Sequence, residues 1–240
     1  GSVQYAELMD YCYVWLRKLV GEQEQCFTSP STRHGDELTG NETMSRGLVH
    51  FADGLSAVFR RMASAMKHRA PFVFTYHHNS IDAYLPVGVA ILDAGFACTA
   101  SLPCPAEMGA SIHISGTGSS VVDTVFVCRT TGIMRRDWTA KNAEDVARLV
   151  EADLAQLRAA GLKPSAGDTR CIIHGQLLRL GIWKVRQAWN VNAATPEKFD
   201  CLAKAMNEFG SVDTVRERMA DRQPLEGAGV GGGAVTQSDF

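Results

Sequence analysis

The chain has 240 residues, with 24 Lys plus Arg against 26 Asp plus Glu, 45% apolar and 21% charged residues. That composition fits a globular protein of one large domain, or one domain with an appendage. It excludes a transmembrane helix, because no run approaches the roughly 18 to 20 apolar residues that a span requires.

The opening Gly1-Ser2-Val3-Gln4 has neither the basic region nor the apolar core of a secretory signal, and a chain starting without Met is expected to be a processed product or a fragment. Residues 5–20 place Leu8, Tyr11, Cys12, Trp15, Leu16 and Leu19 at three- and four-residue spacings, which predicts an amphipathic helix. A polar segment from Gly21 to about Thr43 follows, with Arg33-His34-Gly35 inside it; its length marks a functional or mobile loop. A second helix is predicted from about Ser45 to Lys67, ending at a basic cluster before Pro71.

Phe72-Val73-Phe74-Thr75-Tyr76 reads as a buried strand that stops at His77-His78-Asn79-Ser80. Asn79 or Ser80 can cap a helix over about Ile81 to Ala94, in which Pro86 predicts a kink or a late start and Gly95 the end. Phe96 to Leu102 and Val121 to Cys128 are the next strands, separated by a long Gly-containing loop from Pro103 to Ser120. The pattern predicts a βαβ unit with an antiparallel return. Helices follow over about Ala143 to Ala160, Thr169 to Trp183, Pro196 to Phe209 and Val212 to Asp221, and the Gly-rich end is expected to be disordered.

Charge is unevenly spread. Between Arg69 and Arg129 there is no Lys or Arg, as expected of buried strands and a covering helix, whereas Arg129 to Arg222 holds sixteen basic against twelve acidic residues. That surplus suits either contact with a polyanion or solvated helix faces. The seven cysteines form an odd, dispersed set without the close pairs that zinc needs, so reduced thiols, a cytoplasmic location and no metal site are expected.

Gly227, Gly229 and Gly232 spell G-x-G-x-x-G, but no strand feeds a helix there, so a flexible tail is the better reading. No G-x-S-x-G elbow is present, so nothing supports a hydrolase triad. His77 and His78 end a strand, the place where α/β sheets put ligand sites, yet strand neighbours face opposite ways and make a poor bidentate metal site. A substrate-pocket role and a core or capping role both remain open for them. A metal-dependent hydrolase using His77 or His78 is a weaker third reading.

Taken together, Gln4-Tyr5-Ala6-Glu7-Leu8-Met9-Asp10-Tyr11-Cys12-Tyr13-Val14-Trp15-Leu16-Arg17, Phe72-Val73-Phe74-Thr75-Tyr76-His77-His78, Gly95-Phe96 and Val125-Phe126-Val127-Cys128-Arg129 resemble a known family. They are similar to the C-terminal half of DUF1156-type adenine-specific DNA methylases with a zinc-ribbon region, over roughly residues 3–130. The resemblance implies an α/β fold: a partial Rossmann-like methyltransferase sheet of three strands, the last antiparallel and central, with flanking helices. It further implies a division into 1–137 as methyltransferase portion, 138–223 as helical extension and 224–240 as tail.

The implied activity is S-adenosylmethionine-dependent methylation of adenine N6 in DNA. The family's Asp-Pro-Pro-Tyr motif and cofactor loop would precede residue 1, so the chain alone is expected to be inactive, without catalytic residues of its own. Tyr5, Tyr76, His77 and His78 become pocket candidates, and Arg33, His34, Arg135 and Arg136 DNA-contact candidates. The strand at 72–76 would lack its neighbour, leaving an edge for an upstream methyltransferase portion or a second copy. A non-catalytic assembly module that docks a partner through that edge is the alternative.

Overall fold

The structure is a computed structural model that describes residues 5–33, 37–38, 46–67, 69–105, 120, 122–130 and 135–222. These fall into two compact units, divided between Phe51 and Ala52. His34, the segment 106–119 and the Gly-rich tail lie outside the described residues, and so does the side chain of Tyr5.

In the N-terminal unit, α1 runs over Tyr5–Val20, as its periodicity predicts, with Arg17 and Lys18 in its last turn favouring the helix C-terminus. A short 3-10 turn, Gln25–Phe27, follows, and Phe27 stacks on Tyr13 at 6.1 Å between ring centres. The segment behind it folds back on the helix: the Asp10 carboxylate accepts from Ser31 Oγ at 2.6 Å, Thr32 N at 2.6 Å and Thr32 Oγ1 at 2.7 Å. These donors, Ser31 first, hold the Asp10 carboxyl below its ordinary value. Part of the expected long loop is therefore an ordered strap tied to α1.

The second helix, α2, spans Leu48–Ala65. In the C-terminal unit, its Phe59 meets Phe72 and Phe74 at 4.9 and 5.2 Å, both edge to face. Those two phenylalanines belong to β1, Phe72–Tyr76. A 3-10 turn at Ile81–Ala83 then leads into α3, Tyr84–Asp93. This is the late start that Pro86 predicts: proline has no N–H to give, and it sits in the first turn, where none is needed. The helix closes at Gly95, whose φ of 70° is a left-handed conformation. There Gly95 N donates to Leu92 O and Phe96 N to Ile91 O, both at 3.0 Å, satisfying the last carbonyls.

The strands β2, Ala97–Pro105, and β3, Val122–Arg129, complete a three-stranded sheet of order β1-β3-β2. Both pairings are antiparallel, with Phe74 opposite Phe126 and Cys98 opposite Cys128. The last strand is thus central, as expected. The Rossmann-like part of the expectation needs correction: among the described residues there is no parallel ladder. The strands β1 and β2 run the same way, but β3 lies between them and takes the hydrogen bonds of both.

A second correction concerns β2, which continues through Pro103 to Pro105. It is an edge strand, so the donors that proline lacks are not needed by a neighbour. A bulge falls between Cys98 and Ala100. There the Trp183 indole donates to the Cys98 carbonyl.

Four further helices follow: α4 Ala143–Ala159, α5 Ala166–Val185, α6 Thr195–Asn207 and α7 Val212–Arg222. The helix α5 starts at a capping box, Ser165 with Asp168, and is buried without interruption from Cys171 to Ile182. It lies on β2 and β3 and is flanked by α3, α4 and α6, which is why apolar residues surround it instead of forming one stripe. Gly175 permits this approach, since a Cβ there would lie 2.5 Å from Ser101 Oγ and 2.7 Å from Thr124 Cγ2. The core under the sheet includes Phe126, Phe96, Tyr84, Ile91, Ile173 and Leu178. On the opposite face Val73 is 52% exposed and Val125 and Val127 are half-buried.

Candidate functional site

The carboxyl end of β1 and the beginning of β3 meet the first turns of α5. His77, the first residue after β1, places Nδ1 3.2 Å from the Val122 carbonyl, 3.6 Å from Cys171 Sγ and 3.9 Å from Asp123 Oδ1. The sulfur also lies 3.4 Å from Thr124 Oγ1 and 3.5 Å from Tyr84 Oη. Burial pushes the Cys171 thiol up, but the hydrogen bonds of His77, Thr124 and Tyr84 outweigh it and hold the thiol below its ordinary value. His77 moves the opposite way: the Cys171 hydrogen bond raises it, against a smaller lowering by burial. Both shifts move in the direction of a thiolate beside an imidazolium.

Such a pair is nucleophilic in principle. Its sulfur, however, belongs to a residue only 2% exposed, beneath an imidazole that keeps 32% of its side chain exposed. One turn along α5, His174 is 2% exposed, packs edge-on against Tyr84 and leaves Nδ1 without a hydrogen-bond partner among the described residues. Burial pushes its pKa down to about 4, so this imidazole is neutral.

Tyr76 is half-buried in β1; its hydroxyl donates to Ala83 O at 2.8 Å and its ring lies edge-on to Tyr84 at 5.0 Å. Burial pushes it up to about 12. His78 is exposed and accepts from Ser80 N at 3.0 Å, so it shapes the turn into α3. The two adjacent histidines thus diverge, as strand geometry requires. Among the described residues no group of three or more His, Cys, Asp or Glu side chains could hold a metal ion.

Tyr5 opens α1 and Arg33 is exposed at the end of the strap, both in the N-terminal unit. Arg135 lines a cleft of about 420 Å³ bounded by β2, α4 and α5, to which the His77 cluster contributes no residue; Arg136 follows it in the chain but is not on the lining. Arg135 pairs with Asp137 at 2.7 Å and lies 5.1 Å over the Trp138 ring. Behind them Arg179, 1% exposed, donates through Nη2 to the Trp138 carbonyl at 2.8 Å. It also donates twice to Gln176 Oε1, at 3.1 and 2.7 Å. Gln176 Nε2 in turn donates to Asp153 Oδ2 at 2.7 Å. Burial lifts the Asp153 carboxyl to about 6, against the opposing Gln176 hydrogen bond and the Arg179 charge.

Sequence reasoning did not single out Cys171, His174, Gln176, Arg179 or Asp153. The available signal was polar residues interrupting the otherwise apolar run Cys171 to Trp183, a pattern that a helix buried on all sides tolerates only where partners exist. Comparison with protein-family models, curated proteins and solved structures finds no match for the chain. No helix among the described residues is long and apolar enough to cross a membrane.

Proposed function

We propose that the chain is the C-terminal portion of an S-adenosylmethionine-dependent DNA adenine-N6 methyltransferase, inactive alone and completed by an upstream portion that carries the Asp-Pro-Pro-Tyr motif and the cofactor loop. The observation that carries this reading is the sheet order β1-β3-β2 with an antiparallel strand in the centre. It is the order in which methyltransferase sheets of this type end. The edge strand β1 is the one that the resemblance sets beside an upstream strand. One sheet face is packed with helices while Val73 on the other is 52% exposed, and doubly wound sheets cover both faces.

In this reading Tyr76, His77 and His78 stand at the pocket mouth, and Arg33, His34, Arg135 and Arg136 approach DNA phosphates, in a cytoplasmic enzyme. The test is methyl transfer from labelled S-adenosylmethionine to DNA, by the chain alone and after mixing with the polypeptide encoded immediately upstream. Cofactor binding and adenine labelling only in the mixture are expected. Transfer by the chain alone would place catalytic residues within it and overturn the reading.

The half-exposed Val73 and an edge of β1 that has no neighbour among the described residues also favour a second reading, a non-catalytic assembly module that adds a partner's strand to β1. Absence of cofactor binding in both samples would favour it.

A further inference from the structure

The cleft beside β2 shares no lining residue with the His77 cluster, and the methyltransferase reading assigns it no role beyond Arg135 at its mouth. We propose that this cleft is a nucleotide site: it takes an amino-bearing nucleobase such as adenine between Trp138 and Leu149, the exocyclic amine on Asp153 and the phosphate at Arg135.

The argument starts from the volume, about 420 Å³, which is in the range of small-ligand pockets. The walls supply a flat apolar environment from Trp138, Leu102 and Leu149. One buried group is set apart from them. Asp153 is 7% exposed; its Oδ2 is taken by Gln176, and among the described residues its Oδ1 accepts no hydrogen bond. Because Asp153 lines the cleft and its Oδ1 is not sealed from solvent, that oxygen is an acceptor open to a donor from whatever enters.

The remaining groups narrow the class of ligand. The carboxylate of Asp153 repels an anionic head group, and the Arg179 guanidinium behind it disfavours a cationic one. A neutral ring with an N–H donor satisfies both constraints. Arg135, two-thirds exposed at the cleft, holds Asp137 through Nε and Nη2, so a phosphate on the outward side meets its remaining N–H donors or displaces the Asp137 carboxylate. Gln156, also on the lining, offers an amide donor and acceptor to ring nitrogens.

The chain from the Trp138 carbonyl through Arg179 and Gln176 to Asp153 fixes the acceptor before any ligand arrives. Gln176 Oε1 receives two guanidinium donors, so its NH₂ group must face Asp153. Arg179 and Gln176 are therefore positioning residues, and Asp153 is the recognition residue.

The test is calorimetric titration of the full chain with AMP, with IMP, which replaces the amine by a carbonyl, and with inorganic phosphate. AMP is expected to bind at least about ten-fold more tightly than IMP, because the carbonyl leaves Oδ1 facing an acceptor. Asp153→Asn, checked for folding by its thermal transition, is expected to abolish that preference. Arg135→Ala is expected to weaken AMP while leaving adenosine unchanged. Equal affinity for AMP and IMP, binding of phosphate as tight as AMP, or no binding at millimolar AMP would each overturn the proposal. None of these outcomes depends on an upstream methyltransferase portion, so failure here and failure of methyl transfer are distinguishable.

Discussion

Asp153 makes the pH response of the C-terminal unit readable at one residue. Its native pKa of about 6 stands above the ordinary 3.8, so between roughly pH 4 and pH 6 the folded state holds a proton that the unfolded state has released. Stability should therefore fall as pH rises through that window and level off above it. The gap of about two units corresponds to about 3 kcal/mol. Urea unfolding at pH 4.5 and pH 7 should show about 2 kcal/mol of this loss in the wild type and none in Asp153→Asn; an unchanged slope in the variant would remove Asp153 as its source. Burial decides the behaviour of the cysteines in the same way. Although its hydrogen bonds hold the Cys171 thiol below its ordinary value, its access is closed, so thiol titration of the native protein should find the exposed Cys12, Cys26, Cys104 and Cys201 reacting fast. Cys98, Cys128 and Cys171 should react only on unfolding. Fast reaction of Cys171 in the native state would mean that His77 moves aside readily. That His77 lies beside a strand end was legible from the sequence, whereas its partner stands 94 residues away and came from the folding of α5 onto β3.

At the scale of elements, α5 and the end of α3 carry the largest expected mutational effects. A methyl group added at Gly175 would meet the side chains of Ser101 and Thr124 at well under contact distance. Gly175→Ala should destabilise the unit by about 1–3 kcal/mol, measured as a lowered denaturation midpoint. The last residue of α3, Asp93, has a side chain only 2% exposed and is met by Lys198 Nζ at 2.9 Å and Trp189 Nε1 at 3.0 Å. Its carboxyl stays below the ordinary value because the Trp189 and Lys198 donors, with others, outweigh burial. Asp93→Ala strands the 5%-exposed Lys198 without its counter-charge and should cost about 3–5 kcal/mol. Double replacement of Asp93 and Lys198 by apolar residues should recover much of that loss, and no recovery would mean that the pair is not the source. The helices α4 and α6 were legible because each buries one face, and α3 because its capping residues, Pro86 and Gly95 bound it. The length of α5 was less legible: the sequence reading began it at Thr169, whereas the Ser165–Asp168 capping box starts it at Ala166.

For the molecule as a whole, the sheet edge and the uncovered face govern behaviour in solution. Among the described residues the strand β1 pairs on one side only, with β3, and its Val73 is half exposed. Lysine in place of Val73 should reduce self-association of the isolated chain, read by sedimentation at increasing concentration, with little change in thermal stability. If association is unaffected, the open sheet region is not its cause. Strand and helix identities followed from the sequence, because apolar period, proline, glycine and caps act locally and repeat along the chain; the central position of the last strand was implied only by the family resemblance. Three features were decided only by tertiary structure: the pairing of His77 with Cys171, the relay from Trp138 through Arg179 and Gln176 to Asp153, and the passage of β2 through two prolines. Each depends on which distant segment becomes a neighbour. The same histidine, aspartate or proline has a different energy in water, in a core or at a sheet edge, and the local sequence does not contain that environment.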